Sequence, residues 1–166
     1  MRRLAFGAVA LLLMGTAVSA APDPQLIAPI QKFIDSFNKG DAAGAAATHS
    51  ATEDLAIIDE VAPYLWRGAQ AFQIWSADLE SDSKKNGITD QLVTMGAPTR
   101  IETTGELAYV VVPSVYTFKE HGVAKREAAQ MTVVLRKDAG VWLIHGWTWT
   151  GQKPKRVAPV PAPAKP

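Results

Sequence analysis

The chain has 166 residues, with 17 basic and 16 acidic side chains and no cysteine. That length suits one domain with one core, and the missing cysteine excludes disulfides and a lipid-modified cysteine anchor. Setting aside Arg2, Arg3, Lys153, Lys155, Arg156 and Lys165 at the two ends leaves 11 basic against 16 acidic residues, a central part near −5 that disfavours nucleic acid as a partner.

Met1-Arg2-Arg3, an apolar run from Leu4 to Val18 and the small residues Val18 and Ala20 have the pattern of a secretory signal peptide spanning 1–20 and cut after Ala20. The run falls short of the ~20 residues that span a bilayer comfortably, so no stable membrane anchor is expected after cleavage. The expected location is periplasmic or secreted. In the next segment Leu26, Ile27, Ile30, Phe33, Ile34 and Phe37 recur at helical spacing, which predicts an amphipathic helix over 23–39. Gly40 ends it, and Asp41 is placed to cap a short Ala-rich helix running through Thr48. Leu55 to Asp59 reads as a short strand and Pro63 to Gly68 as a loop. A third helix is predicted over 69–85, with Phe72, Trp75 and Leu79 on one face and Asn86-Gly87 as its stop.

Four long strands follow: Gln91 to Thr103 with a bend at Gly96-Ala97-Pro98, Leu107 to Lys119, Lys125 to Lys137, and Val141 to Thr150. A flat sheet of these strands would leave an apolar face bare. The expectation is therefore an α+β cone, with three N-terminal helices packed on a curved antiparallel sheet that encloses one pocket. From Gln152 to Pro166 the chain turns to proline, alanine and lysine, the composition of a disordered or polyproline-like tail. The domain proper is thus expected to span 21–151.

Five stretches in order carry a resemblance: Phe33 to Asp41, the Ala-rich helix, the strand ending at Asp59, Trp66-Arg67-Gly68 before a helix, and Gly140 to Ile144. Together they resemble the nuclear-transport-factor-2-like superfamily, in its SnoaL-like and ketosteroid-isomerase-like branch. The resemblance implies a cystatin-like α+β roll with a small-molecule pocket and frequent dimers through the outer sheet face. It mixes enzymes with non-catalytic members, so fold does not settle function.

Asp59 matches the position of the carboxylate general base in the isomerases of that superfamily; it either plays that role or is a solvated strand-end residue beside Glu60. Two departures weigh against steroid isomerisation. Phe33 stands where those enzymes place a tyrosine, and 128–136 carries no acid, offering only Gln130 and Thr132 as polar candidates. Each missing oxyanion donor removes roughly 2–4 kcal/mol of stabilisation. Tyr116 is a replacement hydroxyl, since it shares strand parity with Ala108, Val110, Val112 and Ser114, whereas Tyr109 does not. His49, at the end of the second helix, is the third catalytic candidate. Phe33, Trp66, Trp75 and Ser114 are the expected ligand-binding residues.

On strict alternation His145, Trp147 and Trp149 face away from Trp142 and Ile144, which predicts a homodimer through that outer face, with one bulge enough to reverse it. No metal-ligand spacing, phosphate loop or nucleophile elbow appears, and no cofactor is expected. The leading expectation is an exported domain that binds a small hydrophobic or carbonyl-bearing molecule. Its rivals are a cofactor-free acid/base enzyme using Asp59, and a non-catalytic interaction module of the cell envelope.

Overall fold

The computed structural model describes residues 23–157; the expected signal peptide, 1–20, and the end of the tail, 158–166, lie outside the described residues. Helix α1 covers Pro24–Asn38, started by Asp23, whose side chain accepts from the Gln25 N–H at 2.9 Å, and by Pro24 at the first helical position. It buries Leu26, Ile30, Phe33 and Ile34, the stripe its spacing predicts. Helix α2 is a single turn, Ala42–Ala46, capped by Asp41 through the Gly44 N–H at 2.8 Å. Strand β1 is Ala56–Ile58, β2 is Leu65–Arg67 and helix α3 is Ala71–Lys85. The segment expected as a loop thus contains a strand: β2 pairs antiparallel with β1, matching Ile57 to Trp66. Among the described residues no helix is long and apolar enough to cross a membrane.

The bend at Gly96 to Pro98 divides the expected first long strand into β3, Ile88–Met95, and β4, Arg100–Thr104. Both lie against one edge of β5, Leu107–Glu120, β3 beside its second half and β4 beside its first. The Gly96 N–H bonds Pro113 O and the Thr99 N–H bonds Val111 O, so Ala97 and Pro98 bulge between two intact ladders. Strands β6, Val123–Asp138, and β7, Val141–Gly151, complete the antiparallel spine.

The sheet runs β2-β1-β7-β6-β5-β3. This corrects the expected cone. The sheet is mixed, because β1 runs parallel to β7, and it is open, because among the described residues its end strands β2 and β3 do not pair with each other. The reason lies in strand length: β1 and β2 have three residues each, roughly 10 Å, and the chain leaves β2 directly for α3. The closure expected from four long strands therefore never forms, and the helices cover one face of an open sheet.

Residues 152–157 correct the expected tail. Lys155–Arg156 form a short strand, β8, paired with Arg126 and Lys125 of β6, and the flanking Gln152 and Val157 N–H groups bond Ala128 O and Ala124 O. The core lies between the helices and the sheet: Leu26, Ile30 and Ile34 meet Val110, Val112, Met131, Val133, Leu135 and Ile144.

Candidate functional site

Between α1, α3 and the covered face of the sheet lies a cavity of about 290 Å³, open on one side. Its apolar wall is aromatic: Phe33 and Phe37 from α1, Trp75 from α3, Tyr116 and Phe118 from β5, and Trp147 and Trp149 from β7. Ile34, Leu79, Val93 and Met131 fill the gaps, and Pro154 closes one margin. A concave, apolar space with a few converging polar groups is the usual form of a small-molecule site.

The polar groups are mostly acids, joined by the Asn86 amide and the Tyr116 hydroxyl. Asp59, directly after β1, accepts from the Trp75 indole N–H at 2.7 Å and from the Glu60 N–H at 2.7 Å, which fixes its carboxylate at the cavity wall. Burial raises its pKa, and those two hydrogen bonds oppose the rise. Glu127 stands on β6 opposite Tyr116, is 3% exposed, and accepts from the Trp149 indole at 2.7 Å. Burial pushes its pKa up to about 7; the Trp149 bond opposes this, and the charges of Glu60 and Asp59 reinforce it. Glu60 accepts from the Gly151 N–H at 3.0 Å, and a Cβ at Gly151 would overlap the Glu127 carboxylate. Tyr116 donates to Gln91 Oε1 at 2.6 Å, and burial beside Glu127, Asp59 and Asp82 raises its pKa. Near neutrality this cluster therefore offers a carboxyl that is about half protonated, next to an aspartate held by two donors.

Of the residues singled out in the sequence, the cavity wall brings together Asp59, Tyr116, Phe33 and Trp75. The other three lie elsewhere. His49 is 7% exposed behind the wall, 4.5 Å from the Phe72 ring and 4.9 Å from that of Phe33. Its Nε2 accepts from the Trp147 indole at 3.0 Å, so the proton sits on Nδ1 and points to Ala45 O at 3.0 Å. Burial lowers its pKa to about 4, which keeps it neutral. His49 is thus packed in the core behind the cavity wall and not on it. Trp66 is likewise buried, its N–H bonded to Asp78 Oδ2 at 2.8 Å. Ser114 is buried with its hydroxyl turned back on Val112 O at 3.3 Å.

The β7 faces are also corrected. Against β6, Val134 pairs with Gly146 but Leu135 pairs with Ile144, so His145 is an extra residue in the ladder. Strict alternation from Ile144 would send Trp147 and Trp149 outward. The bulge turns them inward instead: Trp147 is 4% exposed and Trp149 lines the cavity. His145 points away from the cavity, with Nδ1 3.2 Å from Ser50 Oγ and Nε2 3.1 Å from Asp54 Oδ2. The outer face so loses both tryptophans expected to anchor a dimer.

Glu127 and Trp149 are the site residues that sequence reasoning missed. Glu127 lies one position before the segment searched for an acid. Its signal was present: it shares parity with Met131, Val133 and Leu135, all buried.

An open sheet backed by three helices, with an aromatic, acid-bearing cleft between the layers, defines an α+β domain with a pocket of small-molecule size. The sequence profile described as SnoaL-like domain matches residues 27–147. The chain belongs to that family, and its fold is shared with ketosteroid isomerase-like and nuclear transport factor 2-like proteins. No curated protein matches it. Among solved structures it is similar to a ketosteroid isomerase-like protein from Erwinia carotovora atroseptica, with 19% identity over 82% of this chain and 96% of that one and a TM-score of 0.59. A nuclear transport factor 2-like protein from Salmonella enterica serovar Typhimurium gives 13% identity, 78% and 90% coverage and a TM-score of 0.65. A hexachlorocyclohexane dehydrochlorinase, LinA type 2, gives 13%, 83% and 94%, and 0.62. At these identities the likeness concerns the fold.

Proposed function

We propose that this SnoaL-like domain binds a small, largely apolar molecule in the cleft, with the molecule's polar end set against Asp59 and Glu127. The observation that carries the reading is the pairing of an aromatic wall with two carboxyls, each held by an indole N–H. Native mass spectrometry of the gently purified protein tests it, together with titration by the neutral apolar fluorophore N-phenyl-1-naphthylamine. A retained small molecule, or saturable fluorophore binding that quenches tryptophan emission, is expected. An empty protein that also ignores the fluorophore would overturn the reading.

The carboxyl pair favours one second reading, cofactor-free acid/base catalysis. Asp59 would take a proton from carbon next to a carbonyl while the protonated Glu127 donates to the carbonyl oxygen, a donor that offsets the missing hydroxyl at Phe33. Asp59→Asn should then abolish turnover and leave fluorophore binding intact, since the amide oxygen still accepts from Trp75. Unchanged turnover would exclude Asp59 as the base.

Export of the mature chain from Ala21 is a further part of the proposal, supported by the pattern of the first 20 residues. A mature N-terminus elsewhere, or a wholly cytoplasmic protein, would refute it. A homodimer through the outer sheet face keeps as support the exposed Tyr109 and Val134, paired across β5 and β6; a monomer mass by sedimentation would remove it.

A further inference from the structure

Five acids line the cleft, Asp59, Glu60, Asp82, Glu120 and Glu127, and among the described residues no lysine, arginine or histidine does. Glu120 is neutralised by Lys125 at 2.8 Å. Among the described residues the other four have no ion-pair partner. The basic residues flanking Pro154, Lys153 and Lys155, are exposed. Glu127 adds an independent sign. It is 97% buried, and among the described residues only its Oε1 takes a hydrogen bond, which leaves Oε2 free on the cavity wall. Tyr116, Phe118 and Trp149 share that wall; Tyr116 stacks on Phe118 with centroids 4.6 Å apart and meets Trp149 edge-on at 6.5 Å. The Trp75, Trp149, Tyr116 and Asn86 donors on the wall are already engaged, so a neutral carbonyl compound depends on a protonated Glu127. A cation gains from both the carboxylates and the ring faces.

We propose that the cleft selects an organic cation, a substituted ammonium carried on an apolar body, with the charge set against Glu127 and Asp59 and the body against the aromatic wall. The proposal rests on the small-molecule reading above and names its ligand class. The volume, about 290 Å³, lies at the lower end of the range for small-molecule pockets and suits an amine on a compact aromatic body.

The sign of the pH dependence separates a cation from a carbonyl. Burial pushes the Glu127 pKa up to about 7, with the charges of Glu60 and Asp59 after β1 reinforcing the rise; Tyr116 on β5 stands opposite and feels Asp82 on α3 as well. A cation needs Glu127 ionised and binds more tightly as pH rises. A carbonyl oxygen needs it protonated and binds more weakly.

The experiment uses benzyltrimethylammonium, a permanent cation with no titration of its own, and its uncharged isostere neopentylbenzene. Both compete with N-phenyl-1-naphthylamine, itself neutral across the range, at pH 6 and pH 8. The ionised fraction of a group titrating near 7 rises roughly tenfold over that interval, so the cation's affinity should rise by about the same factor. Neopentylbenzene should show no such rise, and Glu127→Gln should remove it for the cation. A cation that fails to displace the fluorophore, or whose affinity is flat or falls with pH, overturns the proposal while fluorophore binding leaves the cleft itself intact. Loss of fluorophore binding in the wild type would sink the small-molecule reading as well.

Discussion

Replacing Glu127 by glutamine tests the buried carboxyl without a ligand. The amide fits the same space and still accepts from the Trp149 indole, so the perturbation is loss of a titrating proton. The carboxyl moves from its ordinary 4.5 to about 7 in the folded protein, chiefly through burial. Between those values the folded state holds a proton that the unfolded state has released. Wild-type stability therefore falls as pH rises through the window, by roughly 1.36 kcal/mol per pH unit and about 3 kcal/mol in all, and is level above it. Glu127→Gln lacks this loss. Urea denaturation of both proteins at half-unit steps from pH 4.5 to 8 should give a stability difference that grows in the variant's favour by about 3 kcal/mol and levels near pH 7. The difference matters more than either curve, because His49 contributes the opposite slope over part of the same range. A difference that is constant with pH would show that Glu127 is solvated in the folded protein, and the acid/base chemistry proposed for the cleft would lose its proton donor.

His49 supplies the opposite case. Its pKa falls from 6.5 to about 4, so its contribution is full above pH 6.5 and is lost, by about 3 kcal/mol, as pH falls through 4. His49→Gln should flatten that part of the wild-type acid unfolding curve, and an unchanged slope would contradict a neutral core histidine. Gly146→Ala should cost about 1–3 kcal/mol in urea denaturation, because the new Cβ would lie 2.9 Å from the Ala56 carbonyl and force β1 away from β7; a neutral result would refute the close parallel approach of the two strands. Trp147→Ala should cost about 3–5 kcal/mol as a core truncation, independent of protein concentration. A loss that grows on dilution would return Trp147 to an intersubunit face.

The elements legible in the sequence were those whose periodicity spans several turns or many strand residues. Leu26, Ile30, Phe33 and Ile34 marked α1 because four buried residues on one stripe leave little choice of phase. Val110 and Val112 fixed the inward face of β5 in the same way and carried Tyr116 to the cavity wall with them. Closure of the sheet was not legible, because it depends on the short β1–β2 hairpin, where three residues per strand give no usable period. The same limit hid β8, two residues long and held by backbone bonds to β6 that no side-chain pattern announces.

The β7 face turned on a single residue. The sequence around His145 satisfies strict alternation as well as it satisfies a bulge, and the choice is made by groups distant in the chain. Ser50 and Asp54 bind the two imidazole nitrogens from the connection between α2 and β1, and the backbone of Thr48 and Ser50 brackets Ile144 on the other side. Gly146 then lets Ala56 approach, so that β1 can run beside β7 at all. The extra residue turns Trp147 onto His49 and Trp149 onto Glu127, and the second of these bonds holds the acid that distinguishes the cleft. The candidate site is therefore a consequence of the bulge: without it the cavity would lose two indoles, and Glu127 would be buried with no donor to hold its charge.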